Sequence, residues 1–277
     1  MKPLFKKVVI VGVGLIGGSL GLAIKRRRLA GQVVGVARRQ ATVREATRRR
    51  VIDRATLDLA EGVRGADLVI LCGPVSVIVS QLKAISKRLS PHAIVIDVGS
   101  SKRLIETTAK RHLNRGVFVG CHPMAGDEKK GVCFAKADLF EGAVCFVTRR
   151  HPKVERFWKR IGCHTVLISA KKHDQWAAWA SHLPHVLSFA LFGSVGRGDP
   201  PGRPYGVNPS LRDLARISKS DPKLWADILL SNAAEVSNAI TRFEDNLRDL
   251  KTALRSRRAS RLATLIARAN RISHRVA

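Results

Sequence analysis

Val8-Val9-Ile10-Val11-Gly12-Val13-Gly14-Leu15-Ile16-Gly17-Gly18-Ser19 decides the fold. A run of β-branched residues predicts a strand buried on both faces, and G-x-G-x-x-G leads straight from it into a helix. In that setting Gly12 allows the tight turn, Gly14 lets the backbone approach a diphosphate, and Gly17 lets helix and strand pack closely. Free N–H groups at the helix start, at Leu15 and Ile16, then face the anion. The stretch therefore predicts a dinucleotide site at Gly12, Gly14, Leu15, Ile16 and Gly17, opening a βαβ unit.

Working outward, further strands are expected at Gln32–Val36, Leu68–Cys72, Ile94–Val98, Val117–Cys121, Ala143–Val147 and Thr165–Ile168. Between them lie apolar residues at helical spacing, such as Val75, Ile78, Val79, Leu82 and Ile85. Continuous apolar strands alternating with helices predict an α/β Rossmann-type doubly wound, mostly parallel sheet over residues 1–169. From Lys171 the strand signal stops, and residues 170–277 are expected to form an all-α domain for substrate binding and dimerisation. Residues 171–195 read as a long helix interrupted by Pro184, followed by a Gly/Pro-rich loop from Gly193 to Pro204. A second long helix is expected from Pro222, with Asp221 as its N-cap. Its apolar stripe, Trp225, Ile228, Leu229, Val236, Ile240, Phe243, Leu247, Leu250 and Leu254, would extend ~45 Å at the usual helical rise. So long a stripe predicts a homodimer formed through the C-terminal helices.

The second strand would end in Asp or Glu if the adenosine ribose carried a free 2′-hydroxyl. It ends instead in Ala37-Arg38-Arg39. Without the acid nothing repels a 2′-phosphate, and Arg38 or Arg39 can pair with one, which predicts NADP rather than NAD.

The chain of 277 residues carries 50 Lys and Arg against 21 Asp and Glu, a net charge of +29. Such an excess suits a nucleic-acid binder. However, the basic residues are spread throughout, the densest runs fall at apparent helix ends, and aromatics are only 5% with no stacking platform. No specific nucleic-acid partner is expected, and a small polyanionic ligand fits better. No apolar run reaches the ~18 residues needed to cross a bilayer. The N-terminus lacks a secretory cleavage pattern, so a cytoplasmic location is expected. The five cysteines show no C-x-x-C spacing and read as buried hydrophobes in a reducing compartment.

Three polar clusters interrupt the apolar pattern: Asp97-Val98-Gly99-Ser100-Ser101-Lys102, Cys121-His122-Pro123-Met124-Ala125-Gly126-Asp127-Glu128, and Ser181-His182-Leu183-Pro184-His185. The first two follow strands, where ligands bind in a doubly wound sheet, and a histidine there suits general-base work. The third has H-x-x-H spacing but no further ligand, so no metal is expected.

Together with Asp138-Leu139-Phe140, His173-Asp174-Gln175, Leu211-Arg212-Asp213-Leu214-Ala215-Arg216-Ile217 and Ser220-Asp221-Pro222-Lys223-Leu224-Trp225, these segments resemble the prephenate/arogenate dehydrogenase family. The resemblance follows the family's order along nearly the whole chain. It implies oxidative decarboxylation of prephenate to 4-hydroxyphenylpyruvate in tyrosine biosynthesis, with arogenate as alternative or additional substrate. By the same resemblance His122 is the base and Ser100 orients it or the substrate hydroxyl. Arg216 grips the ring carboxylate of the dianionic substrate, His182 and His185 face the substrate, and Glu128 orients or gates at the mouth. Val207-Asn208-Pro209-Ser210-Leu211 replaces the family's glycine-rich approach to the arginine motif. Neither a chorismate mutase segment nor an ACT domain is expected. The competing readings are a 3-hydroxyacid or imine-reducing dehydrogenase, for which Lys171 and Lys172 are poorly placed, and a cofactor-sensing regulator that binds nucleic acid.

Overall fold

The computed structural model describes residues 2–127, 129–198 and 209–274, without the side chains of 195–198, 209 and 210. Its chain packs into two compact units, Met1–Asn232 and Ala233–Ala277.

The first unit opens with β1 (Phe5–Val11), α1 (Leu15–Arg26), β2 (Ala30–Val36), α2 (Gln40–Arg48), β3 (Arg54–Thr56), α3 (Leu59–Gly62), β4 (Leu68–Leu71) and α4 (Val75–Ile85). It continues through β5 (Ile94–Asp97), α5 (Arg103–His112) and β6 (Val117–Val119). These six strands form one sheet in the order β3-β2-β1-β4-β5-β6, and every pairing within it is parallel. That is the Rossmann order predicted from the glycine turn, with its switch between β1 and β4. The pleat explains the unbroken apolar strands. Val8, Ile10, Leu68 and Ile70 face Leu20 and Ile24 of α1, while Val9, Val11, Val69 and Leu71 face Ile78 and Leu82 of α4. Each such buried side chain contributes roughly 1.5–3 kcal/mol. The polar three-residue β3 carries no periodic apolar signal and escapes sequence reading.

The strand expected at Val117–Cys121 is really two. β6 stops at Val119, and Cys121–Pro123 becomes β7 of a second sheet with β8 (Val144–Val147) and β9 (His164–Leu167), in the order β7-β8-β9. The physical reason is a buried pair beside it. Asp97 Oδ1 accepts from the Cys121 N–H at 3.1 Å, and Lys102 Nζ donates to the Cys121 carbonyl at 2.7 Å. Both backbone groups are thus taken by side chains instead of the parallel ladder. α6 (Pro152–Ile161) links β8 to β9 and buries Phe157 and Trp158 under the large sheet.

After β9 the chain is helical. α7 (Ala170–Ala177) runs through a wider π turn at Ala178–His182 into α8 (Leu183–Gly198). The expected interruption at Pro184 is real and takes the form of that π turn, since proline cannot donate back to the preceding turn. The loop expected from Gly193 is still helical to Gly198, and its remainder through Pro204 lies outside the described residues. Next come α9 (Pro209–Ser218) and α10 (Pro222–Ser231), whose N-cap is indeed Asp221, accepting from the Leu224 N–H at 2.7 Å. The expected continuous helix from Pro222 to Leu254 is broken at Asn232, which leaves helical geometry at φ −125° and ψ 28°.

The second unit holds α11 (Ala233–Arg255) and α12 (Ala259–Ser273), packed against each other. It exposes Leu247, Leu254, Ile266 and Ile272.

Three helices end with an arginine in the left-handed region: Arg28 (φ 52°), Arg50 (φ 55°) and Arg257 (φ 52°). Each precedes a bond closing the helix end, such as Leu29 N to Ile24 O and Val51 N to Ala46 O, both at 2.9 Å. Glycine is the usual occupant, because an L side chain strains this conformation. Arg28→Gly and Arg50→Gly should therefore each stabilise the first unit by about 0.5–1 kcal/mol, the relief of strain exceeding the added freedom of the unfolded chain. Thermal unfolding should show each Tm raised by about 2 °C; an unchanged or lowered Tm would refute the strain argument.

Candidate active site

At the carboxyl ends of β1, β4 and β5 lies a cavity of about 1070 Å³, lined by Gly12, Gly14, Cys72, Gly99, Ser100 and His122 and closed by residues of α8 to α10. Its size is at the upper end of the roughly 300–1,000 Å³ usual for small-molecule sites. The fold builds it at the switch point, as such sheets do.

The glycine turn is shaped by close approach. A side chain at Gly12 would meet the Cys72 carbonyl oxygen at 2.0 Å, and one at Gly17 would meet the Gly12 oxygen at 2.1 Å. Gly14 by contrast has nothing within 4 Å of such a position. It is also the N-cap of α1 and makes no side-chain capping bond, and the first turn of α1 holds no acid. Open space in front of an uncapped helix N-terminus fits a dinucleotide diphosphate. Leu15, Ile16 and Gly17 line the same cavity. Arg38 and Arg39 are exposed just past the end of β2 and are not part of the lining.

His122 sits half-buried on β7, its backbone in register with Phe146 of β8. Its Nδ1 lies 2.9 Å from Nε2 of His173, a residue wholly buried on α7. Burial, reinforced by the nearby charge of Lys102, holds the His122 imidazole well below its ordinary pKa. It is therefore neutral and able to accept a proton at neutral pH. Ser100 lines the cavity one turn before α5.

From the helices come Ser181, His185, Arg216 and Trp225. His185 stacks on the Trp225 indole with ring centroids 3.5 Å apart. Its Nδ1 is 2.9 Å from the Ser181 carbonyl, which only accepts, so Nδ1 carries the proton and Nε2 is left as an acceptor. Burial lowers the His185 pKa; the Ser181 bond opposes this and the Arg216 charge adds to it. Lys130 and Asp221, both lining the cavity, form an ion pair across its rim.

Sequence reading grouped His182 with these residues, and the structure separates it. His182 is 2% exposed, is absent from the lining, and its Nδ1 faces the Asn232 side-chain amide at 3.2 Å. Glu128 lies outside the described residues. Conversely, the sequence gives His173, Asp174 and Lys102 no role beyond membership of the motifs. Yet Asp97 and Lys102 form a fully buried ion pair flanking the lining residues Val98 to Ser100, and Asp174 caps α5 by accepting from Lys102 N at 2.7 Å and Arg103 N at 2.9 Å.

The nucleotide-binding domain family of prephenate dehydrogenase matches residues 20–167 and its dimerization domain family matches residues 169–268. The cyclohexadienyl dehydrogenase of Zymomonas mobilis is 33% identical over 91% of this chain and 89% of its own. Prephenate dehydrogenase from Aquifex aeolicus, solved with hydroxyphenyl propionate and NAD+, superposes with a TM-score of 0.87 at 30% identity, covering 98% of both chains. Synechocystis arogenate dehydrogenase gives a TM-score of 0.84 at 29% identity, covering 98% of this chain and 100% of that one.

Burial pushes the His182 pKa down to about 4. The unfolded chain protonates this imidazole below about 6.5, whereas the folded chain resists until about 4. Stability should therefore be full above pH 6.5, fall between pH 6.5 and 4 by up to about 3 kcal/mol from this residue, and level off below. Urea midpoints across that range should show the loss, and His182→Gln should flatten it; an equal slope in both proteins would exclude His182 as its source. Fold, site and comparisons agree: the chain belongs to the prephenate dehydrogenase family.

Proposed function

We propose that this chain dehydrogenates and decarboxylates prephenate to 4-hydroxyphenylpyruvate, using NADP. The observation that carries the reading is a single cavity lined both by the glycine turn and by His122, Ser100, His185 and Arg216. Gly12, Gly14, Leu15, Ile16 and Gly17 would hold the cofactor's diphosphate, and Arg38 and Arg39 its 2′-phosphate. When bound, the nicotinamide supplies the hydride acceptor.

The chain's own residues do the rest. His122 takes the proton of the ring hydroxyl as the carbon bearing it is oxidised. Electrons of the bond to the ring carboxylate then flow through the ring to that oxygen, and carbon dioxide leaves. The proton returns from His122 to the phenolate, so no net proton is released. Arg216 binds the departing carboxylate before it is lost, and Ser100 bonds the substrate hydroxyl or the base. We place Glu128 at the mouth and His182 as a buried support for the helices behind His185. The functional division at 169/170 is proposed on the change from sheet to helix there.

One observation favours arogenate as a second substrate. As a neutral imidazole His185 presents an acceptor at Nε2, which suits the side-chain ammonium of arogenate. A donor at Nε2 for prephenate's keto oxygen would require a protonated ring, which burial opposes. Homodimerisation is supported by the dimerization-domain match and by the exposed Leu247, Leu254, Ile266 and Ile272. All five cysteines are free thiols, in keeping with the cytoplasmic location we propose.

The deciding experiment offers prephenate and arogenate, each with NADP and NAD, and follows reduced-cofactor absorbance. Turnover is expected with prephenate and NADP, and Arg38→Ala should raise KM for NADP more than for NAD. Absence of turnover in all four combinations would overturn the function, and a preference for NAD would overturn the cofactor choice. His122→Asn should lower kcat by ~100-fold with little change in KM, whereas Arg216→Gln should chiefly raise KM for the substrate. The opposite pattern would exchange their roles.

A further inference from the structure

We infer that His173 and Asp174 form a buried relay that fixes the tautomer of His122, so that Nε2 is its only nitrogen open to a substrate proton. The inference rests on His122 being the base proposed above.

The direction of every bond in the relay follows from what each atom can do. Asp174 Oδ1 accepts from the Lys102 N–H at 2.7 Å, and Oδ2 accepts from the Arg103 N–H at 2.9 Å, at the N-terminus of α5. Carboxylate oxygens held by backbone donors are acceptors, so His173 Nδ1, 2.8 Å from Oδ1, must donate. A neutral imidazole carries one N–H, which leaves His173 Nε2 with a lone pair. His122 Nδ1, 2.9 Å from that lone pair, must then donate in turn. His122 lines the cavity with its Nδ1 side turned to His173, so Nε2 is the nitrogen that remains for the substrate.

Burial excludes a direct role for the two supporting residues. His173 is 0% and Asp174 1% exposed, and neither lines the cavity. The rings of Phe146 and Trp176 wall His173 in, with centroids 5.5 and 6.4 Å from its own. They are positioning residues. Burying a histidine and a carboxylate would be unfavourable if their polar atoms were unmatched, and here each contacts a partner of the complementary kind.

The relay also serves the charged state of the base. When Nε2 gains the substrate hydroxyl proton, positive charge spreads to Nδ1–H, and its bond to His173 strengthens. The Asp174 carboxylate, one imidazole further on, faces that charge. Free imidazole has no such bias between its two nitrogens, so without His173 part of the population would present Nε2–H and be unable to accept a proton.

Nitrogen NMR of the enzyme labelled with ¹⁵N-histidine tests this without relying on turnover. In the wild-type protein at pH 7.5, His122 should show a protonated Nδ1 and an unprotonated Nε2, identified by loss of its signals in His122→Asn. A protonated Nε2 would overturn the relay even if prephenate is turned over; turnover failure with the expected tautomer would instead count against the function. Two variants extend the test. His173→Gln keeps an acceptor for His122 and should retain kcat within ~10-fold, whereas His173→Phe should lose ~100-fold, with substrate KM within ~3-fold in both. Equal losses of kcat in the two variants would refute the inference, and if His173→Phe fails to fold, the wild-type spectrum decides alone.

Discussion

The buried pair of Asp97 and Lys102 is the interaction on which the site depends. Charges removed from water are costly unless matched, and loss of one partner from such a pair typically costs about 3–5 kcal/mol. Here the surplus bonding capacity of both is used on the backbone. Asp97 takes the N–H groups of Gly99 and Cys121, and Lys102 takes the Cys121 carbonyl. The chain therefore leaves the large sheet at Gly120 and starts the small one, which turns the next residue, His122, to the cavity. The backbone N–H of the same Lys102 is held by Asp174. One residue thus anchors the base through its side chain and the support behind that base through its main chain.

A second constraint joins the helices to the sheet. Asp227 on α10 accepts from Val75 N at 2.6 Å and Ser76 N at 3.2 Å, at the start of α4, much as Asp174 on α7 does for α5. Two carboxylates from the helical segment thus satisfy helix starts of the nucleotide-binding sheet. This explains why residues 170–232, although helical, pack in one compact unit with the sheet. The break at Asn232 belongs to the same arrangement: its side chain turns inward to the Asp174 carbonyl at 2.8 Å and to His182.

Much of this was legible in the sequence. The glycine turn and the β-branched strands gave the sheet, because burial on both faces leaves an unmistakable apolar run. Ser100, His122 and His185 lie in polar clusters that stand out against apolar surroundings, whereas Arg216, one arginine among many, is marked only by the family resemblance; the structure gathers all four in one cavity. What escaped did so for physical reasons. An apolar stripe cannot show that Asn232 ends α10, since the cause is a hydrogen bond to residues about fifty positions earlier. The switch of sheets at Gly120 depends on side chains from β5 and α5. His173 and Asp174 read as an ordinary polar pair in a helix until their burial is seen. The family resemblance groups His182 with His185, but a separation of three residues does not reveal which face a π turn presents.

The chain has far more cations than anions, 50 against 21, and the placement of its scarce carboxylates has a consequence for ligand register. The helices α1, α4 and α5 all begin at the carboxyl edge of the sheet, and each helix start is a partial positive charge. Asp227 and Asp174 neutralise those of α4 and α5. The start of α1 alone keeps its N–H groups uncapped and without an acid in the first turn. Of these three electrostatic seats two are filled from within, so a polyphosphate cannot settle at the start of α4 or α5, on the side where the substrate must lie.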